Sequence, residues 1–130
     1  MLKPGQLIDE KYRIIRLIGE GGMGAVYQAE HTFIRRRCAI KVLHPEVARN
    51  EEIVKRFIRE AQAASAVGHP GIIDIYDVGV TPDGAPYLVT EWIDGQDLRT
   101  FAKGKPLPAV AATLGGILGA LEYLHARGVL

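Results

Sequence analysis

The most informative stretch of the sequence is Leu17-Ile18-Gly19-Glu20-Gly21-Gly22-Met23-Gly24-Ala25-Val26-Tyr27. A second segment, Cys38-Ala39-Ile40-Lys41, places a lysine fifteen residues after Val26. Four of the six residues from 19 to 24 are glycine, and a hairpin turn that binds nothing rarely needs so many. Glycine has no Cβ, so backbone amides at such positions can come close to phosphate oxygens. The stretch therefore predicts a loop that covers phosphate groups, with an ammonium group nearby.

The segments on both sides of this loop have the composition of β-strands. Residues 12–18 are rich in β-branched and aromatic side chains and lead into the glycines, and we predict further strands over residues 24–30 and 35–43. Side chains two apart in a strand share a face. Ala39 and Lys41 should therefore point one way, and Ile40 and Val42 the other. A small apolar side chain and an ammonium group would then face the same space.

A G-x-G-x-x-G run alone is a weak signal, because dinucleotide-binding folds use it too. In those folds the glycines open a helix, and an acidic residue follows about 20 positions later. Here the glycines lie between two strand-like segments, and the corresponding region holds Cys38, Ala39 and Ile40. A Walker loop requires Gly-Lys-Ser/Thr, whereas Ala25 follows Gly24. The context is therefore typical of neither class.

Residues 51–67 contain no Gly or Pro and are dense in helix formers, so they predict a helix. Ile53, Phe57, Glu60 and Ala64 recur at spacings of four, three and four, which places them on one stripe. A buried carboxylate loses its hydration unless a cation or hydrogen-bond donors meet it. The pattern predicts that Glu60 faces inward toward a partner.

The second half of the chain predicts a hairpin and then helices. Strands are expected over residues 72–80 and 86–92, joined by the turn Thr81-Pro82-Asp83-Gly84. A short helix should follow residues 94–97, and a long one should run from Pro108 to Gly128. The predicted fold class is α+β: a five-stranded antiparallel sheet with one packed helix, followed by a helical extension.

Composition indicates one soluble globular unit. The chain has 130 residues, 48% of them hydrophobic and 24% charged, and a formal net charge of +1. So small a charge predicts no nucleic-acid or membrane partner, and Arg35-Arg36-Arg37 is expected to be a solvated turn, with phosphate or acidic-partner contact as the alternative. The single Cys38 excludes an internal disulfide, no zinc-site spacing occurs, and no secretory signal is evident, so a cytoplasmic location is expected.

Several motifs together resemble the N-terminal part of bacterial, eukaryotic-like serine/threonine protein kinases. Ile18 to Tyr27 closely follows that family's glycine loop, Val26 lies two residues past Gly24, and Ala39-Ile40-Lys41 matches its Ala-x-Lys. The resemblance covers essentially the whole chain. It implies a kinase-like small lobe with its hinge over residues 1–93, and an incomplete start of the helical large lobe over residues 94–130.

The resemblance also implies roles for individual residues in binding ATP. Lys41 would contact the α- and β-phosphates, and Glu60 would be the helical acid that pairs with Lys41. Thr90 would be the gatekeeper beside the adenine, and Glu91-Trp92-Ile93 the hinge. The ATP-binding set it implies is Ile18, Gly19, Glu20, Gly21, Gly22, Met23, Gly24, Val26, Ala39, Lys41, Thr90, Glu91, Ile93 and Asp97. For Asp97, which would lie near the ribose, an N-cap of the short helix is about as plausible.

The 130 residues depart from the family pattern in one respect. They contain no His-Arg-Asp, Asp-Phe-Gly or Ala-Pro-Glu motif, which in this family supply the catalytic base and the metal ligands. We therefore expect the chain alone to be inactive, with Mg²⁺ used, and a protein substrate bound, only by a complete kinase. A non-catalytic nucleotide-binding or partner-docking module is the alternative, and a fragment without a role of its own is a third. The apolar stripe of the 108–127 helix is expected to self-associate.

Overall fold

A computed structural model of the chain describes residues 2–66, 68 and 70–95, together with the single positions 103, 104, 106 and 108. The elements in chain order are β1 (Leu7–Ile8), β2 (Tyr12–Glu20), β3 (Gly24–His31), β4 (Arg37–Leu43), α1 (Pro45–Ala48), α2 (Glu51–Ser65), β5 (Ile75–Val80) and β6 (Pro86–Glu91). The strands form one antiparallel sheet in the order β1-β2-β3-β4-β6-β5.

The predicted α+β class is confirmed, and all five predicted strands are present. The sheet has a sixth member, β1, which pairs Leu7 with Arg13 and Ile8 with Tyr12. Two residues are too few to show an alternating pattern, so the sequence did not reveal this strand. The turn that follows it holds Asp9 and Glu10 at positive φ.

The predicted hairpin turn at residues 81–84 is confirmed by its hydrogen bonds. The Thr81 hydroxyl donates to the Asp83 carboxylate over 2.7 Å and accepts from the Ala85 amide over 3.0 Å. Gly84 adopts a φ of +88°, a conformation that favours glycine. These contacts reverse the chain between β5 and β6 and thereby set the register of the strand that carries Thr90.

The sheet buries one face and leaves the other for the candidate site. The buried cluster contains Ile8, Tyr12, Ile14, Ala25, Tyr27, Ala29, Cys38, Ile40, Tyr87 and Val89. Strand alternation sends the side chains between them to the opposite face. Ile40 is therefore buried while Ala39 and Lys41 lie on the other side, as predicted.

Helix α2 lies close to the predicted span and begins with a good cap. The Asn50 side chain accepts hydrogen bonds from the amides of Glu52 (3.1 Å) and Ile53 (3.4 Å), which satisfies two amides of the first turn. Ala61 is the buried residue of α2, and the helix packs against β5. The four-residue helix α1 was not predicted, since one turn carries almost no periodic signal.

The inward position predicted for Glu60 is wrong. Glu60 is exposed, and the buried position is its neighbour Ala61. Adjacent helix residues differ by about 100° around the axis, since a turn contains 3.6 residues. That rotation leaves the carboxylate hydrated, so Glu60 does not require the buried partner that the stripe argument called for.

Candidate functional site

The sheet register brings the sequence-predicted residues of the strands onto one face. Val26 lies opposite Lys41, and Lys41 lies opposite Leu88. In the same pairing of β4 with β6, Ala39 lies opposite Thr90. The valine, the small alanine, the lysine and the threonine thus come from three neighbouring strands.

A cavity of about 320 Å³ lies between the glycine loop and this face. Its lining residues are the whole predicted loop and two strand residues: Gly19, Glu20, Gly21, Gly22, Met23, Gly24, Val26 and Lys41. The cavity is open, and Lys41 is exposed. An ammonium group in the wall beneath a glycine loop suits an anionic ligand.

The glycines of the loop fall into two classes. An added Cβ at Gly24 would overlap the Val42 carbonyl oxygen and lie 3.0 Å from the Val42 carbonyl carbon, so this glycine is required by packing between β3 and β4. An added Cβ at Gly19, Gly21 or Gly22 would meet no atom within 4 Å, and none of these three has a positive φ.

Neither packing nor backbone strain explains glycine at those three positions. All three line the cavity, and glycine lets a ligand come close to the backbone, so close approach of a ligand is an explanation for them. The residues present therefore fit a phosphate-bearing ligand.

Lys41 and Glu60 are not joined. Within the described ranges, no ion pair with a nitrogen–oxygen distance of 4.0 Å or less links them. Both side chains are exposed, so each retains water as its partner. The structure therefore places Lys41 in the cavity wall and Glu60 on the exposed side of α2, without bringing the two together.

The predicted hinge, residues 91–93, is held by contacts on both sides. The Glu91 amide donates to the Asp74 carbonyl over 3.0 Å, and the Asp74 amide donates to the Glu91 carboxylate over the same distance. Asp94 accepts from the Trp92 indole over 2.8 Å and pairs with Arg37 at 3.4 Å. The Glu91 amide therefore already donates to a carbonyl, and the Glu91 carbonyl accepts a hydrogen bond from the Thr90 hydroxyl over 3.2 Å.

The large pKa shifts lie on the opposite face of the sheet. Burial, together with hydrogen bonds to carboxylates, raises the pKa values of Tyr12 and Tyr87 far above the ordinary value for tyrosine. Tyr12 donates to Asp77 over 2.8 Å, and Tyr87 donates to Asp9. Burial also raises the pKa of the Cys38 thiol to about 11. These groups stay protonated at neutral pH and serve the core rather than the cavity.

Residues 12–130 match the family described as the protein kinase domain. The chain belongs to this family. It is 43% identical over 121 residues to the serine/threonine-protein kinase Pkn1 of Myxococcus xanthus, and 38% identical over 129 residues to PrkC of Bacillus subtilis. These alignments cover 92% and 97% of the chain, but only 17% and 20% of the two relatives. The chain thus spans about a fifth of the curated relatives it matches.

A solved kinase domain has the same fold. The PknI kinase domain of Mycobacterium tuberculosis superposes with a TM-score of 0.80 at 31% identity, covering 98% of this chain and 52% of that domain. Relative to that domain, the chain spans about half of the kinase fold. The described residues of this chain form the six-stranded sheet, α1 and α2.

Ile18 and Asp97 also belong to the predicted ATP-binding set. Ile18 sits where the pairing of β2 with β3 is irregular, between Leu17 and Gly19, and it is exposed. Asp97 lies outside the described residues. No group of three or more potential metal ligands and no helix able to span a membrane occurs in the part of the chain described.

Sequence reasoning missed two residues at the site. Leu88 lies opposite Lys41 and two residues before Thr90, so strand alternation could have placed it on the cavity face. His44 contacts the glycine loop through its ring, 23 residues away along the chain. No periodic signal marks a contact of that kind.

Proposed function

We propose that this chain is the ATP-binding part of a serine/threonine protein kinase. The observation that carries the proposal is the cavity roofed by Gly19, Gly21 and Gly22 with Lys41 in its wall. The family catalyses phosphoryl transfer from ATP to proteins, and relatives that carry the serine/threonine-kinase name match nearly the whole chain.

Each side of the cavity supplies a different kind of contact in this proposal. Amides of the glycine loop would donate to phosphate oxygens, and the Lys41 ammonium would offset their charge. Val26 and Ala39 present small apolar surfaces to the adenine. Hinge contacts would come from the Glu91 carbonyl and the Ile93 amide, for which the described part of the chain provides no hydrogen-bond acceptor.

We further propose that the 130 residues bind nucleotide without transferring phosphate. Positioning and charge stabilisation make up nearly all of phosphoryl-transfer catalysis, and the motifs that supply the base and the Mg²⁺ ligands are absent from this sequence. ATP binding by this chain should then depend little on Mg²⁺, which a complete kinase would hold with residues beyond these. The proposed location is the cytoplasm.

Titration calorimetry of the chain with ATP, with and without Mg²⁺, tests the proposal. Lys41→Met removes a charge-assisted hydrogen bond, which is worth about 1.5–3 kcal/mol. The exposure of Lys41 favours the lower end of that range, so we expect affinity to fall roughly 10-fold. Lys41→Arg, which keeps the charge, is the matched control and should lose less.

Glu60→Gln separates this geometry from an assembled ion pair. Because Glu60 is exposed and unpaired with Lys41, the substitution should leave ATP affinity unchanged. A loss as large as that of Lys41→Met would show that the two side chains act together in solution. Absence of ATP binding by the wild-type chain would overturn the proposal and favour a partner-docking role. Lys41-dependent incorporation of labelled phosphate into protein would overturn the claim of inactivity.

A further inference from the structure

His44, the residue after β4, contacts the glycine loop at two levels. Its backbone amide donates to the Met23 carbonyl over 2.9 Å, and its ring Nε2 lies 2.8 Å from the Gly21 carbonyl oxygen. A carbonyl oxygen can only accept, so Nε2 carries the proton in this contact. The same nitrogen lies 3.7 Å from a carboxylate oxygen of Glu20. His44 therefore contacts the loop at two positions, Met23 through its backbone and Gly21 through its ring.

The ring has no other structural task among the described residues. His44 is the N-cap of α1 by its backbone, with φ −62° and ψ 148°, but its side chain makes no capping hydrogen bond. The ring is directed instead to the loop, and its side chain is 23% exposed. His44, Glu20 and Glu46 also line a second cavity of about 400 Å³.

We propose that His44 is a positioning residue for the nucleotide, acting through the glycine loop that it restrains. Within the loop, the Gly21 amide donates a hydrogen bond to the Gly24 carbonyl over 2.9 Å. The backbone of glycine is flexible, so this bond alone restrains the loop little. A hydrogen bond from the end of β4 ties the Gly21 end of the loop to the rigid sheet. A restrained loop loses less conformational entropy when ligand binds, so affinity rises without a direct contact. This inference rests on the proposed ATP binding.

The size of the effect follows from the surroundings of the contact. Gly21 is exposed, so in the absence of the ring water can hydrogen-bond to its carbonyl oxygen, which is then not left unsatisfied. The loss is then that of an ordinary hydrogen bond rather than of a buried unpaired group. We expect His44→Ala to weaken ATP binding roughly 2- to 10-fold.

The test compares four variants of the full chain by ATP calorimetry. His44→Ala should bind ATP more weakly, and His44→Gln, which can place an N–H donor near the Nε2 position, should restore wild-type affinity. Glu20→Gln tests the neighbouring carboxylate, whose oxygen lies 3.7 Å from Nε2, beyond hydrogen-bond length, so we expect a smaller loss than that of His44→Ala. Glu46→Ala changes a carboxylate in the wall of the same cavity that makes no described contact with the loop, and it should behave as wild type.

A second measurement reads the loop directly without nucleotide. Backbone NMR order parameters of residues 21–24 should fall from about 0.85, the value for rigid backbone, toward 0.6 in His44→Ala and stay near wild type in His44→Gln. Unchanged order parameters and unchanged affinity in His44→Ala would overturn the inference, as would failure of glutamine to rescue. If the wild-type chain binds no ATP, the proposed function fails, and unchanged order parameters would then show that His44 does not restrain the loop either.

Discussion

Two glycines two positions apart in the same loop should respond in opposite ways to an added methyl group. At Gly24 the new Cβ would overlap the Val42 carbonyl oxygen and lie 3.1 Å from the Leu43 Cα, both of them backbone atoms of the paired strand β4. Val42 is paired with β3 on one side and β6 on the other, so this backbone cannot move aside as a flexible side chain can. Overpacking of this kind typically costs about 1–3 kcal/mol, a large share of the ~5–15 kcal/mol that holds a domain together.

Gly22→Ala is the matched comparison. Its Cβ would meet no atom within 4 Å and its φ is not positive, so the free energy of unfolding should stay within about 0.5 kcal/mol of wild type. A small gain is also compatible, since alanine restricts the unfolded chain. ATP binding should nevertheless weaken, because Gly22 lines the cavity and an added methyl group would keep a ligand from its backbone.

Thermal and urea unfolding, each followed by circular dichroism, measure the stability half of this prediction. For Gly24→Ala we expect the midpoint temperature to fall by roughly 4 °C for each kcal/mol lost. Calorimetry with ATP measures the binding half for Gly22→Ala. Equal destabilisation by the two substitutions, or a wild-type midpoint for Gly24→Ala, would refute the division of the glycines into packing and ligand classes.

Three further predictions concern the core and the apolar end of the chain. The pKa values of Tyr12 and Tyr87 are raised above the ordinary value of about 10, so the stability that these two groups contribute should be fully present below pH 10. Above pH 10 the free energy of unfolding should fall by about 1.4 kcal/mol per pH unit for each tyrosine. Urea unfolding of Tyr87→Phe between pH 9 and 11.5 should show a shallower decline, and an unchanged slope would contradict this. Cys38 is buried and its thiol has a pKa of about 11, so it should react with a thiol reagent at neutral pH only as fast as the chain unfolds. Rapid labelling of the native chain would contradict this by showing that solvent reaches the Cys38 thiol. The helix that the sequence predicts over residues 108–127 carries an apolar stripe of Leu114, Ile117, Leu118, Leu121 and Leu124. Shortening the chain to about Phe101 should therefore reduce self-association. Light scattering that finds a monodisperse monomer of all 130 residues would contradict this prediction.

The strand arrangement was open to sequence reasoning because a strand has only two faces. Once residues 35–43 are read as a strand, alternation alone puts Ala39 and Lys41 on the face opposite Ile40, and the structure agrees. The turn from Thr81 to Gly84 could also be predicted from the sequence, because its residue types suit the backbone angles and side-chain hydrogen bonds that the turn has. The spacing between the glycines and the lysine predicted which segments share a site.

The helix could not be oriented in the same way. A stripe at spacings of four and three can rotate continuously about the axis, and only the packing of α2 against β5 makes Ala61 rather than Glu60 the inward residue. Whether the Lys41 and Glu60 charges meet depends on that rotation, so the sequence could not decide it.

Contacts between distant parts of the chain were decided by tertiary structure alone. The sequence marks all four loop glycines alike, and only the passage of β4 behind Gly24 separates a packing glycine from the three that leave space for a ligand. The same strand carries His44 to the back of the loop, where its ring reaches the Gly21 carbonyl. Local residue types determine which element a segment forms. The distance between two elements depends on strand order, register and the packing of the whole sheet around its buried side chains.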